Sequence, residues 1–289
     1  MKAHGIMPDS STHLVNGTIV PGFLYGTAWK EDRTQSLVEL ALDTGFRGID
    51  TANQRRHYHE AAVGAAIAAA VVRGVVSRDD LFLQTKFTFR NGQDHRLPYD
   101  PTAPIATQVE QSLASSRQHL GVDHLDSYML HGPSQRSGLG ADDWAAWRAM
   151  ERLHDGGAVR LLGISNVGLD QIQQLCDQAT VRPTFVQNRC YARLGWDREI
   201  REFCRAHQII YQGFSLLTAN REVLMHPEIR RIASQYQRTP CQIIFRFALE
   251  IGMLPLTGTS SGEHMHEDLA VLEFELTPEE VTQIERLAG

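Results

Sequence analysis

Two rhythms of apolar and polar positions alternate along this chain. Short apolar runs at residues 23–27, 46–50, 81–86, 125–131, 160–165, 184–188, 209–214 and 253–257 have the length and bounding turns of β-strands. Between them, apolar residues recur at helical spacing over 34–44, 60–73, 103–120, 142–155, 169–178, 200–206, 228–236 and 240–250. Strands alternating with helices in this way predict an α/β fold in which a parallel sheet closes into a (β/α)8 (TIM) barrel. Ahead of the first barrel strand, residues 14–21 read as a β-hairpin, because Asn16-Gly17 suits a tight turn with positive φ at both central positions. Thr277-Pro278-Glu279-Glu280 is a capping box with proline at the first helical position, and starts a C-terminal helix. No linker, repeat or shift of composition divides the chain, so residues 1–289 are expected to form one domain.

Composition narrows the partners. The net charge is −6 and the basic residues do not cluster, which argues against nucleic acid or an anionic membrane. The four cysteines, Cys176, Cys190, Cys204 and Cys241, form no CxxC pair and read as reduced thiols. Residues 1–15 lack the apolar core of a signal peptide, and no apolar run approaches the roughly 20 residues that cross a bilayer. A cytoplasmic monomer acting on a small molecule is expected.

The chemistry collects at strand ends, where barrel enzymes place their catalytic groups. Asp50 closes the second barrel strand, Lys86 the third (LFLQTK) and His131 the fourth (LDSYMLHGP). Tyr58 lies in the loop just beyond Asp50, within the run GFRGIDTANQRRHYHEAAVGAAI from Gly45 to Ile67. A tyrosine can give a proton to a carbonyl oxygen, but its ordinary pKa of about 10 is high for that work. An adjacent ammonium lowers it, and a carboxylate holds the ammonium in place.

This run closely resembles the second strand, loop and helix of the aldo-keto reductases. The resemblance implies NAD(P)H-dependent reduction of aldehydes and ketones. It implies that Asp50 pairs with Lys86, that Lys86 lowers the tyrosine pKa, and that His131 bonds the carbonyl oxygen. In the family the aromatic lies five residues after the aspartate and three before the glutamate that opens the helix. Here Arg55 and His57 occupy those two alignments and Tyr58 stands two before Glu60, in a loop about two residues longer. Tyr58 is the only phenol there and is the expected proton donor, with His57 as the alternative.

Further resemblances concern the cofactor. LLGISNVG resembles the strand whose serine and asparagine bind the nicotinamide carboxamide, here Ser165 and Asn166, and FVQNRCY the strand whose glutamine does the same, here Gln187. QGFSLLTANRE resembles the segment whose aromatic stacks on the nicotinamide, here Phe214, followed by Ser215 and Leu217 in the loop that wraps the pyrophosphate. Thr27 is a further expected cofactor contact, and Trp29, in GTAW, an aromatic wall of the substrate pocket.

LPLTGTSSGEHMHEDL resembles the segment that grips the adenosine 2′-phosphate, and it departs from the pattern. Leu256 stands for the usual lysine, and His264 for the arginine across a two-residue insertion. Thr257 remains as a phosphate or ribose donor, while Glu267 and Asp268 align with side chains that meet adenine or ribose. NADP(H) is the expected cofactor, with NAD(H) as the alternative. The pairs His57/His59 and His264/His266 lack a third ligand at a recognisable spacing, so no metal is expected. The chain stops at Gly289 without the long tail that many relatives fold over the pocket, so an open site is expected, with the polar loop at 87–101 as one wall. Two rivals stand beside a reductase: a cofactor-binding pseudoenzyme of the same fold, and a barrel isomerase with no nicotinamide pocket.

Overall fold

The computed structural model describes residues 12–287. Residues 1–11, on which the signal-peptide reading mostly rests, lie outside that range. The chain opens with an antiparallel hairpin, β1 (Thr12–Val15) and β2 (Thr18–Pro21), in which Leu14 faces Ile19. Asn16 and Gly17 turn it with φ of 49° and 79°. Then come β3 (Leu24–Gly26), α1 (Thr34–Thr44), β4 (Gly48–Asp50), α2 (Glu60–Val72), β5 (Phe82–Phe87) and α3 (Ile105–Leu120). The middle of the chain supplies β6 (Leu125–Leu130), α4 (Ala141–Asp155), β7 (Val159–Ser165), α5 (Leu169–Gln178), β8 (Phe185–Arg189) and α6 (Arg198–Ala206). The last part holds β9 (Ile210–Phe214), α7 (Arg221–Leu224), α8 (Pro227–Tyr236), α9 (Pro240–Glu250), β10 (Met253–Thr257), α10 (Gly262–Leu269) and α11 (Pro278–Arg286).

Strands β3 to β10 are parallel and pair in sequence order, and β10 returns to β3 to close an eight-stranded barrel. This is the TIM barrel that the alternating pattern predicts. Successive side chains of a strand point to opposite faces. In β5, therefore, Phe82, Gln84 and Lys86 point into the barrel while Leu83, Thr85 and Phe87 face the helices. The apolar clusters divide the same way. Phe82 packs with Leu24, Met129, Leu161, Phe185, Leu254 and Leu256, and the hairpin's Val20 joins this inner set. Leu83 and Phe87 belong to the larger layer between strands and helices.

Two helices were not legible in the periodicity. The short α7 and the polar α10 each bury little, Val223 in the first and Met265 with Asp268 in the second, so neither carries an apolar stripe.

The alanine-rich α2 buries Val63, Ala66, Ile67 and Ala70 and carries Gly64 on the same face. A Cβ added at Gly64 would lie 2.0 Å from the His119 carbonyl oxygen at the end of α3. Gly64→Ala should therefore destabilise the fold by about 2 kcal/mol through overpacking, measured by urea unfolding; a loss near zero would show that α2 and α3 part freely.

Candidate active site

At the C-terminal end of the barrel, the ammonium of Lys86 donates to both carboxylate oxygens of Asp50, at 2.6 and 2.7 Å, and to the Thr51 carbonyl at 2.9 Å. Its side chain is wholly buried. Burial pulls the Lys86 pKa down, and the Asp50 carboxylate restrains the fall. Asp50 Oδ1 also accepts from Gln84 Nε2 at 2.7 Å and Gln187 Nε2 at 3.1 Å.

The longer loop after β4 resolves into a single helical turn. The Gln54 carbonyl accepts from both His57 and Tyr58 main-chain N–H groups, at 3.1 and 3.0 Å, which takes up the additional residues. The turn brings the Tyr58 ring centroid to 5.5 Å from Lys86 Nζ. His57 instead lays its ring against Trp29, with centroids 3.9 Å apart. The loop at 87–101 is not among the cavity walls. It braces the Tyr58 loop from behind, through Gln54 Nε2 to the Gly92 carbonyl at 2.7 Å and Gln93 Nε2 to the Asn53 carbonyl at 2.8 Å.

The Tyr58 pKa differs from the expected lowering. Burial, and then the Asp50 carboxylate, push it up. The Lys86 ammonium, 5.5 Å from the ring centroid, gives its hydrogens to Asp50 and Thr51. His131 sits edge-on to Tyr58 with ring centroids 5.8 Å apart, and its Nδ1 lies 2.6 Å from the Thr88 hydroxyl. Burial, with the charges of Lys86 and His57 behind it, pulls the His131 pKa down to about 3. Its imidazole is neutral at ordinary pH.

A cavity of about 490 Å³ runs from these groups across the barrel mouth. Asp50, Tyr58, His131, Ser165, Asn166, Gln187 and Phe214 line one end, and Thr257, His264, Glu267 and Asp268 the other. Trp29, Ser215 and Leu217 also border it. Three of these residues hold left-handed φ without being glycine: Trp29 at 63°, Asn166 at 54° and Ser215 at 58°. Such strain persists only where surroundings impose it. For Trp29 the restraint includes its N–H donating to the His57 carbonyl at 2.7 Å.

Thr27 is the exception among the expected contacts. It is fully buried, it is not among the cavity walls, and its hydroxyl donates to the Asp50 main-chain carbonyl at 3.0 Å. It fixes the strand end that carries Asp50. Lys30, overlooked in the sequence although it directly follows Trp29, borders the cavity and donates to the Gly258 carbonyl. Leu256 is buried in the inner apolar set, and His264 Nδ1 lies 3.5 Å from the Thr259 hydroxyl. At the same end Asp268 Oδ2 is buried with no protein partner, and burial pushes the Asp268 pKa up to about 6.

The family model for the aldo/keto reductases matches residues 13–288. The chain belongs to the aldo/keto reductase family, a family of oxidoreductases. It is 30% identical over 278 residues to a methylglyoxal reductase of Yersinia pestis, covering 95% of this chain and 91% of that protein. Among solved structures, it superposes on an aldo/keto reductase from Brucella melitensis with a TM-score of 0.80 at 26% identity, over 96% of this chain and 98% of that one. A Bombyx mori aldo-keto reductase in complex with NADP gives a TM-score of 0.81 at 24% identity, covering 96% and 92%.

Removing one member of a buried ion pair leaves the other unpaired and costs about 3–5 kcal/mol. Asp50→Ala should lose stability on that scale in urea unfolding, while Asp50→Leu combined with Lys86→Met should recover most of it. Equal losses in both would mean that the pair's charges do not depend on each other.

Proposed function

We propose that this aldo-keto reductase reduces aldehydes and ketones to alcohols with NADP(H), in the cytoplasm, as a one-domain monomer. The observation that carries the reading is the convergence of Tyr58, His131 and the Lys86–Asp50 pair at one end of a cavity bordered by Ser165, Asn166, Gln187 and Phe214. The residues present suit a dinucleotide. Amides and an aromatic face lie at the end nearest Tyr58, and Lys30 with the unpartnered Asp268 Oδ2 at the other. An orphan buried acceptor calls for a donor, and an exocyclic amino group supplies one. The reduced nicotinamide, when bound, supplies the hydride for the carbonyl carbon.

The protein's own groups handle the oxygen. As its charge grows, Tyr58 gives up a proton. A phenol with a raised pKa keeps that proton until an alkoxide, more basic still, demands it. In the tautomer this reading requires, the Thr88 hydroxyl donates to Nδ1 of His131 and the imidazole proton stands on Nε2, to bond the same oxygen. A neutral imidazole positions the oxygen without competing as the acid. Lys86 and Asp50 hold a fixed dipole beneath the phenol. The four free cysteines accord with a reducing compartment.

The test is reduction of methylglyoxal, chosen for the Yersinia relative's name, with NADPH. Tyr58→Phe should lower kcat by at least about a hundredfold with cofactor Kd near wild type. In the wild type, kcat for reduction should stay flat from about pH 5 to about pH 9. His131, held down to about 3, loses its neutral form only as pH falls toward that value. Tyr58, pushed up, keeps its proton across the range. Full activity in Tyr58→Phe, or a limb near pH 6.5, would assign the proton to another group such as His57.

Cofactor choice has its own test. With Leu256 and His264 where relatives hold two cations, and Lys30 left as a lysine on the cavity wall, preference for NADPH over NADH should be about tenfold or less. Leu256→Lys should raise the ratio of the two Kd values by about tenfold or more. An already large preference in the wild type would place the phosphate on other residues.

A further inference from the structure

Above the apolar floor of the barrel, at the level where the interior could have been filled by leucine, stand two glutamines. Gln84 on β5 and Gln212 on β9 are both 0% exposed. Each amide donates to the other, Gln84 Nε2 to Gln212 Oε1 at 2.8 Å and Gln212 Nε2 to Gln84 Oε1 at 3.0 Å. Gln84 Nε2 gives its second hydrogen to Asp50 Oδ1. Gln187, on β8, donates through Nε2 to Asp50 Oδ1 and, at 2.9 Å, to Gln212 Oε1.

A carboxylate can only accept. Asp50 therefore requires Gln84 and Gln187 to turn their nitrogens toward it. Gln212 must then meet those two nitrogens with its oxygen, and its own nitrogen falls to Gln84 Oε1. No other assignment of the three amides avoids donor against donor or oxygen against oxygen. The consequence reaches the cavity. Both hydrogens of Gln187 Nε2 are spent inside the barrel, and its Oε1 is the group left for whatever occupies the cavity that Gln187 borders.

We propose that Gln84 and Gln212 are positioning residues for the nicotinamide. They carry the polarity of Asp50 across the barrel to Gln187 and hold its amide in a fixed plane with the oxygen outward. The bound carboxamide group then meets an acceptor for its NH₂ in one orientation only. Asp50 alone would anchor the Gln187 amide at one point and leave it free to swing. Gln212 Oε1 is the second anchor, and Gln84 holds that oxygen in place. The inference rests on the proposed use of a nicotinamide cofactor.

The experiment compares two ligands, NADPH and 2′-phospho-ADP-ribose, which is the same molecule without the nicotinamide. The double variant Gln84→Leu/Gln212→Leu removes both partners of the amide pair, and with them one donor to Asp50 and one acceptor for Gln187 Nε2, so its stability is measured by urea unfolding beside its binding. Its Kd for NADPH should rise about tenfold while that for the fragment stays within about twofold. In a Gln187→Leu background the double change should add no further loss for NADPH, because the pair acts through Gln187. Should the double variant fail to fold, Gln84→Met is read with the same two ligands. Parallel weakening of both ligands, unchanged NADPH binding, or an additive loss on Gln187→Leu would each overturn the proposal. Wild-type protein that binds the fragment and NADPH equally well would overturn it too. Wild-type protein that binds neither ligand would instead overturn the proposed function, and this inference with it.

Discussion

A lysine ammonium stripped of water, inside a closed barrel, dictates much of what surrounds it. Desolvating Lys86 and Asp50 costs several kcal/mol for each ion unless every hydrogen and lone pair finds a partner. The structure meets that demand completely on the lysine side, with two bonds to Asp50 and one to the Thr51 carbonyl. On the carboxylate side Gln84 and Gln187 add two more. Even the main chain is tied down, since the Thr27 hydroxyl holds the Asp50 carbonyl. The register of β3, β4 and β5, with Gly26 beside Asp50 and Asp50 beside Gln84, makes these bonds possible. Slipping one strand by a residue would turn its inward groups outward.

The same pair bears on the phenol. A lysine alone would favour a phenolate; with Asp50 against it the opposite charges largely offset each other, and burial keeps the Tyr58 pKa up.

Much of this was legible in the chain because strand ends are legible. Asp50, Lys86 and His131 follow apolar runs whose ends the polarity marks, and parallel strands in sequence order must bring those ends together. Tyr58 was harder. Its spacing from Asp50 fits no simple alignment, and only the doubled hydrogen bond at the Gln54 carbonyl shows how one helical turn absorbs the difference. Thr27 stands apart from the cavity walls because a strand-end hydroxyl can serve the backbone or the cavity, and sequence does not say which way it turns; here it bonds the Asp50 carbonyl. Gln84 was hidden for another reason. Both faces of β5 are buried, so alternation carries no contrast there, and a glutamine between Leu83 and Thr85 looks like an ordinary interruption. The helix α10 was missed for the opposite reason, being too polar to show a face.

From bottom to top, the barrel interior passes from the hairpin's Val20 and the surrounding leucines and phenylalanines, through the glutamine pair, to the ion pair and then the cavity. Each layer is suited to the next. An apolar floor keeps water from reaching the charges from below, which strengthens their mutual attraction. Two amides then bridge between that floor and a full charge, since they can accept from one side and donate to the other. Placing leucines directly under Asp50 would leave its Oδ1 with fewer donors in a medium that punishes such a deficit. The polar middle layer therefore follows from the buried carboxylate, and the orientation of the cavity-facing Gln187 follows from the middle layer.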